Sequence, residues 1–253
     1  MNPLRAILKT CVVIFALALM VSGATAQSFG PLQGAVFGNG SKALVVVLHG
    51  DLSRGGPADY HYEFARDVAD NNPGVTVVAL VRPGYSDGEG RESPGSTDGR
   101  RDHYTAANNR LLIDTITSLK AAFSPQKVIG VGHSGGAAQL GASAGQSAGL
   151  VDAMILVSCP CNIERWRRSR NRSAWYRSQS PHEFIGGIAP GTDIHLIVGS
   201  RDNNTAFFLS NDYAEDAREA GLTATIEKVS GAGHGFNNMS QTVRAAVEAR
   251  LPK

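Results

Sequence analysis

The chain has 253 residues, 42% of them hydrophobic, which is enough for one substantial buried core, and no Pro/Ser-rich linker or long charge run divides it. Its formal charge is +2, but Arg5 and Lys9 fall in an N-terminal stretch without acids, and setting that stretch aside leaves 22 basic residues against 22 acidic ones. A net charge near zero argues against a nucleic-acid partner.

The first residues read as a secretory signal peptide. Residues 1–9 carry Arg5 and Lys9, residues 11–22 form an apolar run too short for a comfortable bilayer span, and Ala24, Thr25 and Ala26 make an A-x-A site. Cleavage after Ala26 is expected, with export to the periplasm or the medium, no stable membrane span after processing, and one catalytic domain over residues 27–253. The small residues after the apolar run argue against the alternative, an uncleaved anchor. Cys11 lacks a preceding small-residue lipobox, so no lipid anchor is expected.

Beyond the leader the pattern alternates. Apolar runs predict strands near 43–49, 75–81, 127–132, 153–158, 193–199 and 223–229. Amphipathic or small-residue stretches predict helices near 58–71, 105–123, 135–148, 206–221 and 239–250. Strands separated by helices imply crossover connections and a mostly parallel, doubly wound α/β sheet. The longest excursion, 159–192, leaves room for a short helical cap of one or two helices.

The strand at 127–132 runs into Gly132-His133-Ser134-Gly135-Gly136, a serine held between glycines at a strand-to-helix turn. Such a turn needs small neighbours, and it projects the hydroxyl near a helix N-terminus that favours negative charge. Asp202 follows the strand at 193–199, and His234 sits in the glycine-flanked loop 231–236. A serine hydroxyl is a weak nucleophile near neutral pH, so a histidine must take its proton while a carboxylate orients the imidazole. Ser134, Asp202 and His234 are therefore the candidate catalytic residues. Asp193 and Asp212 compete with Asp202, but the first opens a strand and the second falls within a helix. The turn His49-Gly50-Asp51-Leu52 after the strand at 43–49 can aim a backbone N–H at a tetrahedral oxygen. Asp51 is taken as one such donor, with Leu52 as its neighbouring alternative, and Gly135 as the other. The Asp51 carboxylate must then point elsewhere or pair with a cation such as Arg54 or Arg82.

These motifs, together with Arg82-Pro83-Gly84-Tyr85-Ser86 after the strand at 75–81, resemble those of serine hydrolases of the α/β-hydrolase superfamily over nearly all of the chain beyond the leader. The resemblance implies an eight-stranded sheet with the active site at the carboxyl ends of its strands, and hydrolysis of an ester, amide or related bond. Residues 28–40 are short and glycine-rich, so the two leading antiparallel strands of that fold are in question. The segment 177–181 resembles the corresponding region of prolyl-oligopeptidase-like hydrolases.

Other residues have plainer readings beside functional ones. His133 is read as a packed or edge residue that can also touch the pocket. Leu52, Tyr85 and Trp166 are pocket candidates, and Tyr60 and Tyr62 are placed at its mouth. His49 and His195 are read as structural, His49 also as a possible orienter of the Asp51 turn, and His61 and His103 as helix-surface residues. Between Glu164 and Arg177 six arginines crowd with Trp166, Trp175 and Tyr176, readable as a solvated excursion beside the site or as a place for an anionic ligand. Cys159 and Cys161 are either free thiols or a strained bridge across one proline. Two thiols without a matching Cys/His pair make no zinc site, so no metal is expected. The chemistry needs only water, and no cofactor is expected. Carboxylic-ester hydrolysis of a small-molecule or short acyl substrate leads. A small exopeptidase or amidase is the alternative, and a non-catalytic binding protein on the same scaffold is the third reading. Oligomeric state is left open.

Overall fold

A computed structural model describes residues 29–253. The signal peptide expected over residues 1–26 lies outside the described residues. Among the described residues seven strands form one sheet: β1 (Gly34–Phe37), β2 (Ala43–Leu48), β3 (Val75–Leu80), β4 (Val128–His133), β5 (Ala153–Val157), β6 (Asp193–Gly199) and β7 (Thr223–Val229), in the order β1-β3-β2-β4-β5-β6-β7. All neighbours are parallel except β1, which pairs antiparallel with β3. Among the described residues five α-helices flank the sheet, α1 (Tyr62–Asn71), α2 (Ala106–Phe123), α3 (Gly135–Gln146), α5 (Phe207–Glu219) and α6 (Ser240–Glu248), while α4 (Ile163–Ser169) packs against Tyr104, Ala138 and Leu209.

The period of two along each strand divides the core. Leu44, Val46, Leu48, Met154 and Leu156 pack with Leu112, Ile116 and Leu119 of α2, Leu140 of α3 and Tyr213 of α5. Their alternates Val45, Val47, Ile129, Val131, Ile155 and Val157 pack with Phe64 and Val68 of α1 and Val243 and Val247 of α6. Each buried aliphatic side chain contributes roughly 1.5–3 kcal/mol, so both faces of the central strands must be covered, which is why they read as unbroken apolar runs.

The expected eight strands become seven among the described residues, because a single leading strand, β1, stands where two were in question. Gly38 turns the chain with φ 72°, and a Cβ on Gly40 would lie 2.0 Å from the Gly74 carbonyl oxygen, so β1 passes into β2 through a tight turn. Before β1, Gln33 still accepts the Val81 N–H beside β3, but the Leu32 N–H donates to Thr115 Oγ1 at 3.1 Å, which turns the chain toward α2. The first helix also begins later than expected, at Tyr62, because a turn in which the Tyr62 N–H donates to the Asp59 carbonyl precedes it. The 159–192 excursion holds α4 and a 3-10 turn at Pro181–Gly187. Cys159 and Cys161 are joined by a disulfide, one of the two states the sequence leaves open. No helix among the described residues is long and apolar enough to cross a membrane.

Candidate active site

Ser134 occupies the turn from β4 into α3 with φ 53° and ψ −118°, a conformation uncommon for a residue with a Cβ. The close approach around it explains the glycines. A Cβ on Gly132 would lie 2.6 Å from the Gly136 carbonyl oxygen, one on Gly136 would lie 2.5 Å from the His49 carbonyl oxygen, and one on Gly135 would lie 2.2 Å from Asp51 Oδ1. The helix N-terminus can thus sit directly against the β2 turn.

Three side chains from separate strand ends meet here. Ser134 Oγ lies 3.0 Å from His234 Nε2, and His234 Nδ1 lies 2.9 Å from Asp202 Oδ2. With Nδ1–H donating to the carboxylate, Nε2 is the acceptor for the serine hydroxyl. Asp202 also accepts from the N–H groups of Asn204 and Thr205 and from the Thr205 hydroxyl. Burial opposes its ionisation, but donation from His234 and Thr205 outweighs that and brings its pKa down to about 2. Asp212 and Asp193, the competing acids, are engaged elsewhere with Arg165 and Arg250.

The backbone N–H groups of Asp51 and Gly135 donate to no protein acceptor among the described residues. The Asp51 carboxylate points into a buried cluster. Oδ1 accepts from Arg82 Nη1 at 2.9 Å and lies 3.1 Å from His103 Nε2, while Oδ2 accepts from the Tyr104 hydroxyl. Burial works against this carboxylate, yet Arg82, His103 and Tyr104 together hold it far below the usual carboxylate range. Arg82 is therefore the partner, not Arg54. It is itself almost fully buried, and it donates also to Gln139 and to the His49 carbonyl. His49 donates from Nδ1 to the Gly50 carbonyl and accepts the Arg82 N–H at Nε2, so it braces this turn.

Several placements differ from the sequence expectation. His61 and His103 are buried instead of lying on a helix surface. Both precede their helices, where His61 Nε2 donates to the Leu80 carbonyl and His103 meets Asp51. Tyr85 is not a pocket residue, because it is buried edge-on against His49 with Arg82 beside its ring. Leu52 packs against the apolar face covered by α1 and α6. Tyr62 is buried and donates to Asp87.

A cleft of about 410 Å³ opens over Ser134 and His234, lined by Trp166, Trp175, Asn204 and the arginines 100, 167, 170 and 172. Trp166 forms part of this cleft wall, with its Nε1–H donating to the Asn204 carbonyl. His133 instead borders a second hollow of about 270 Å³ with Tyr60 and Phe236. A larger cavity of about 620 Å³ between α1 and α6 shares Tyr60 and Asn237 with the second hollow and contains neither Ser134 nor His234, so size alone does not mark the site. Sequence reasoning missed Thr205, whose hydroxyl lies next to both Asp202 and His234, and Tyr104, which has no motif of its own.

An α/β hydrolase family model matches residues 45–226. No curated protein matches the chain significantly. Among solved structures the chain is similar to esterase PE8, at 19% identity over 87% of this chain and 99% of that one with a TM-score of 0.65. It is also similar to a monoacylglycerol lipase of Paleococcus ferrophilus, at 17% identity over 85% and 96% with a TM-score of 0.61. A third likeness is to an α/β serine hydrolase without lid from Xanthomonas campestris, at 20% identity over 90% and 93% with a TM-score of 0.57. At such identities these likenesses speak for the fold alone. The family match spans more than half of the sequence and agrees with the sheet order around β4 and α3, so the chain belongs to the α/β hydrolase family.

Proposed function

We propose that this protein hydrolyses carboxylic esters through an acyl-serine intermediate on Ser134. The observation that carries the reading is the continuous pair of contacts from Ser134 Oγ to His234 Nε2 and from His234 Nδ1 to Asp202. In the first half-reaction Ser134 Oγ attacks the ester carbonyl carbon and His234 Nε2 takes its proton. The N–H groups of Asp51 and Gly135 hold the tetrahedral oxyanion, and the preference of a helix N-terminus for negative charge assists. Collapse breaks the bond to the alcohol oxygen, which leaves with the proton from His234. Water then attacks the acyl-serine with His234 again as base, releasing the acid and restoring Ser134. Asp202 stays ionised throughout and keeps the imidazole in the tautomer that accepts at Nε2.

The test is a hydrolysis panel on purified protein, pairing p-nitrophenyl esters of graded acyl length with aminoacyl-p-nitroanilides and running Ser134→Ala beside the parent. Ester turnover that drops by about a million-fold in Ser134→Ala, with anilides untouched, is the expected result. Anilide turnover equal to or above ester turnover would replace the ester reading with the amidase one. Activity that survives in Ser134→Ala would remove the triad reading altogether. Export rests on the leader sequence alone. Cleavage after Ala26 predicts Gln27 as the first residue of the mature protein, which N-terminal sequencing reads directly.

A further inference from the structure

The six arginines between Arg165 and Arg177 sort into two groups of three. Arg165 pairs with Asp212, Arg168 with Glu164, and Arg177 with Asp98 and Asp102. Arg167, Arg170 and Arg172 have no carboxylate partner among the described residues, and these are the three that line the cleft over Ser134 and His234. Arg100, on the loop before α2, joins them there without a carboxylate partner either.

Their other contacts aim them without neutralising them. Arg100 donates to the Leu52 carbonyl, Arg167 to the Ser173 carbonyl and Arg170 to the Asn203 carbonyl, and each guanidinium keeps further N–H donors for a ligand. Asp51 is the one carboxylate in the cleft lining, and both of its oxygens are engaged by Arg82, His103 and Tyr104. Trp166 and Trp175 supply apolar wall, which focuses the field of the arginines into the cleft. Partial burial lowers the pKa of Arg167, and the nearby charges of Arg172 and Arg170 lower it further, with Tyr104 and Asp102 opposing them. Four like charges around one opening repel each other, and an anionic ligand relieves that repulsion.

We infer that the arginine-lined cleft beside Ser134 binds a carboxylate carried by the substrate, so that the preferred substrates are monoesters of dicarboxylic acids or comparably anionic esters. The inference rests on the ester-hydrolase reading above for the reaction and on the cleft alone for the anion. A guanidinium presents paired donors that match a carboxylate, a geometry a lysine rim would lack. The anion then helps hold the substrate over Ser134 while the ester end reacts.

Two measurements separate this inference from the reaction it rests on. The two tryptophans of the chain both line this cleft, so intrinsic fluorescence reports on it without turnover. In Ser134→Ala, monomethyl glutarate should shift the emission saturably and bind about tenfold more tightly than neutral dimethyl glutarate, an advantage that fades with added salt. Adding Arg170→Gln and Arg172→Gln should erase the advantage. Arg168→Gln, on the same segment but paired with Glu164 outside the cleft, should retain it. In the active protein, kcat/KM for mono-p-nitrophenyl glutarate should exceed that for its methyl-capped ester by about tenfold, and the ratio should approach one in the double arginine variant. Equal binding of the two ligands, no response to either, or an unchanged advantage in the double variant overturns the anion site. Hydrolysis of both esters without preference leaves the ester reading standing and removes this one. Anion binding without hydrolysis of either ester does the reverse.

Discussion

The Tyr60 hydroxyl lies 2.6 Å from His133 Nδ1, and through this contact the residue before Ser134 reaches the turn that carries Asp51. The Tyr60 oxygen accepts the Gly50 N–H, and His133 Nε2 lies 2.9 Å from the His234 carbonyl oxygen. One neutral tautomer satisfies the whole chain: Nε2–H donates to His234, and Nδ1 accepts the Tyr60 proton. His133 thus braces the His234 loop against the Gly50–Asp51 turn.

Removing the Tyr60 hydroxyl leaves the Gly50 N–H and His133 Nδ1 without their shared partner. Tyr60→Phe should lower the unfolding free energy by roughly 1–3 kcal/mol in a denaturant titration. On the proposed reaction it should also cut kcat by roughly tenfold to a hundredfold with KM little changed, because the Asp51 N–H drifts from the oxyanion position. An unchanged kcat would limit the bridge to stability.

Asp202 and Thr205 should differ in how much they contribute. Asp202→Asn presents an amide that can favour the wrong His234 tautomer, and kcat should fall by about 10⁴-fold. Thr205→Val removes one of several donors to Asp202 and should cost at most about tenfold. Steady-state kinetics on p-nitrophenyl esters read both, and a Thr205→Val loss as large as that of Asp202→Asn would make Thr205 an equal member of the site.

Arg82→Met should be strongly destabilising, by about 3–5 kcal/mol, because it strands the Asp51 carboxylate and leaves Gln139 and the His49 carbonyl without their donor. Arg82→Met combined with Asp51→Asn should recover part of that loss. Chemical denaturation of the two variants measures the difference, and equal stabilities would show that the Asp51 charge is not the cause.

Stability should fall as pH drops through the mildly acidic range. Burial lowers the pKa of His61 to about 3 and of His133 to about 4, against an ordinary value of 6.5, and places that of His49 well below the ordinary value. The unfolded chain therefore takes up protons near pH 6.5 that the native protein refuses, so stability rises with pH across this window and is lost on descending through it. Asp51 and Asp202 are depressed carboxylates, whose contribution is present above about pH 4 and disappears only on further acidification. Tm at pH 4.5 should be clearly below Tm at pH 7.5, with a shallower slope in His133→Gln. A flat profile for the parent protein would contradict this account.

Much of the frame is legible in the linear sequence because its causes are local. Unbroken apolar runs such as 43–48 mark strands covered on both faces, and the glycines around Ser134 mark a turn whose backbone leaves no room for a Cβ. The leading edge was less legible, since whether residues 28–40 form one strand or two depends on the β3 edge and on Thr115 in α2.

Periodicity and sterics within a few residues account for the alternation of strands and helices, the serine turn, and the order in which Ser134, Asp202 and His234 follow their strands, which is why these features can be read along the chain. That Arg82 takes the Asp51 carboxylate, that His61 and His103 are buried, and that Arg167, Arg170 and Arg172 face the cleft while Arg165, Arg168 and Arg177 find acids depends on how distant segments meet in the fold. A charged side chain's partner is set by which distant segment lies within a few ångströms of it. Asp51 and Tyr104 are 53 positions apart and Arg165 and Asp212 are 47 apart, and no local pattern encodes those approaches.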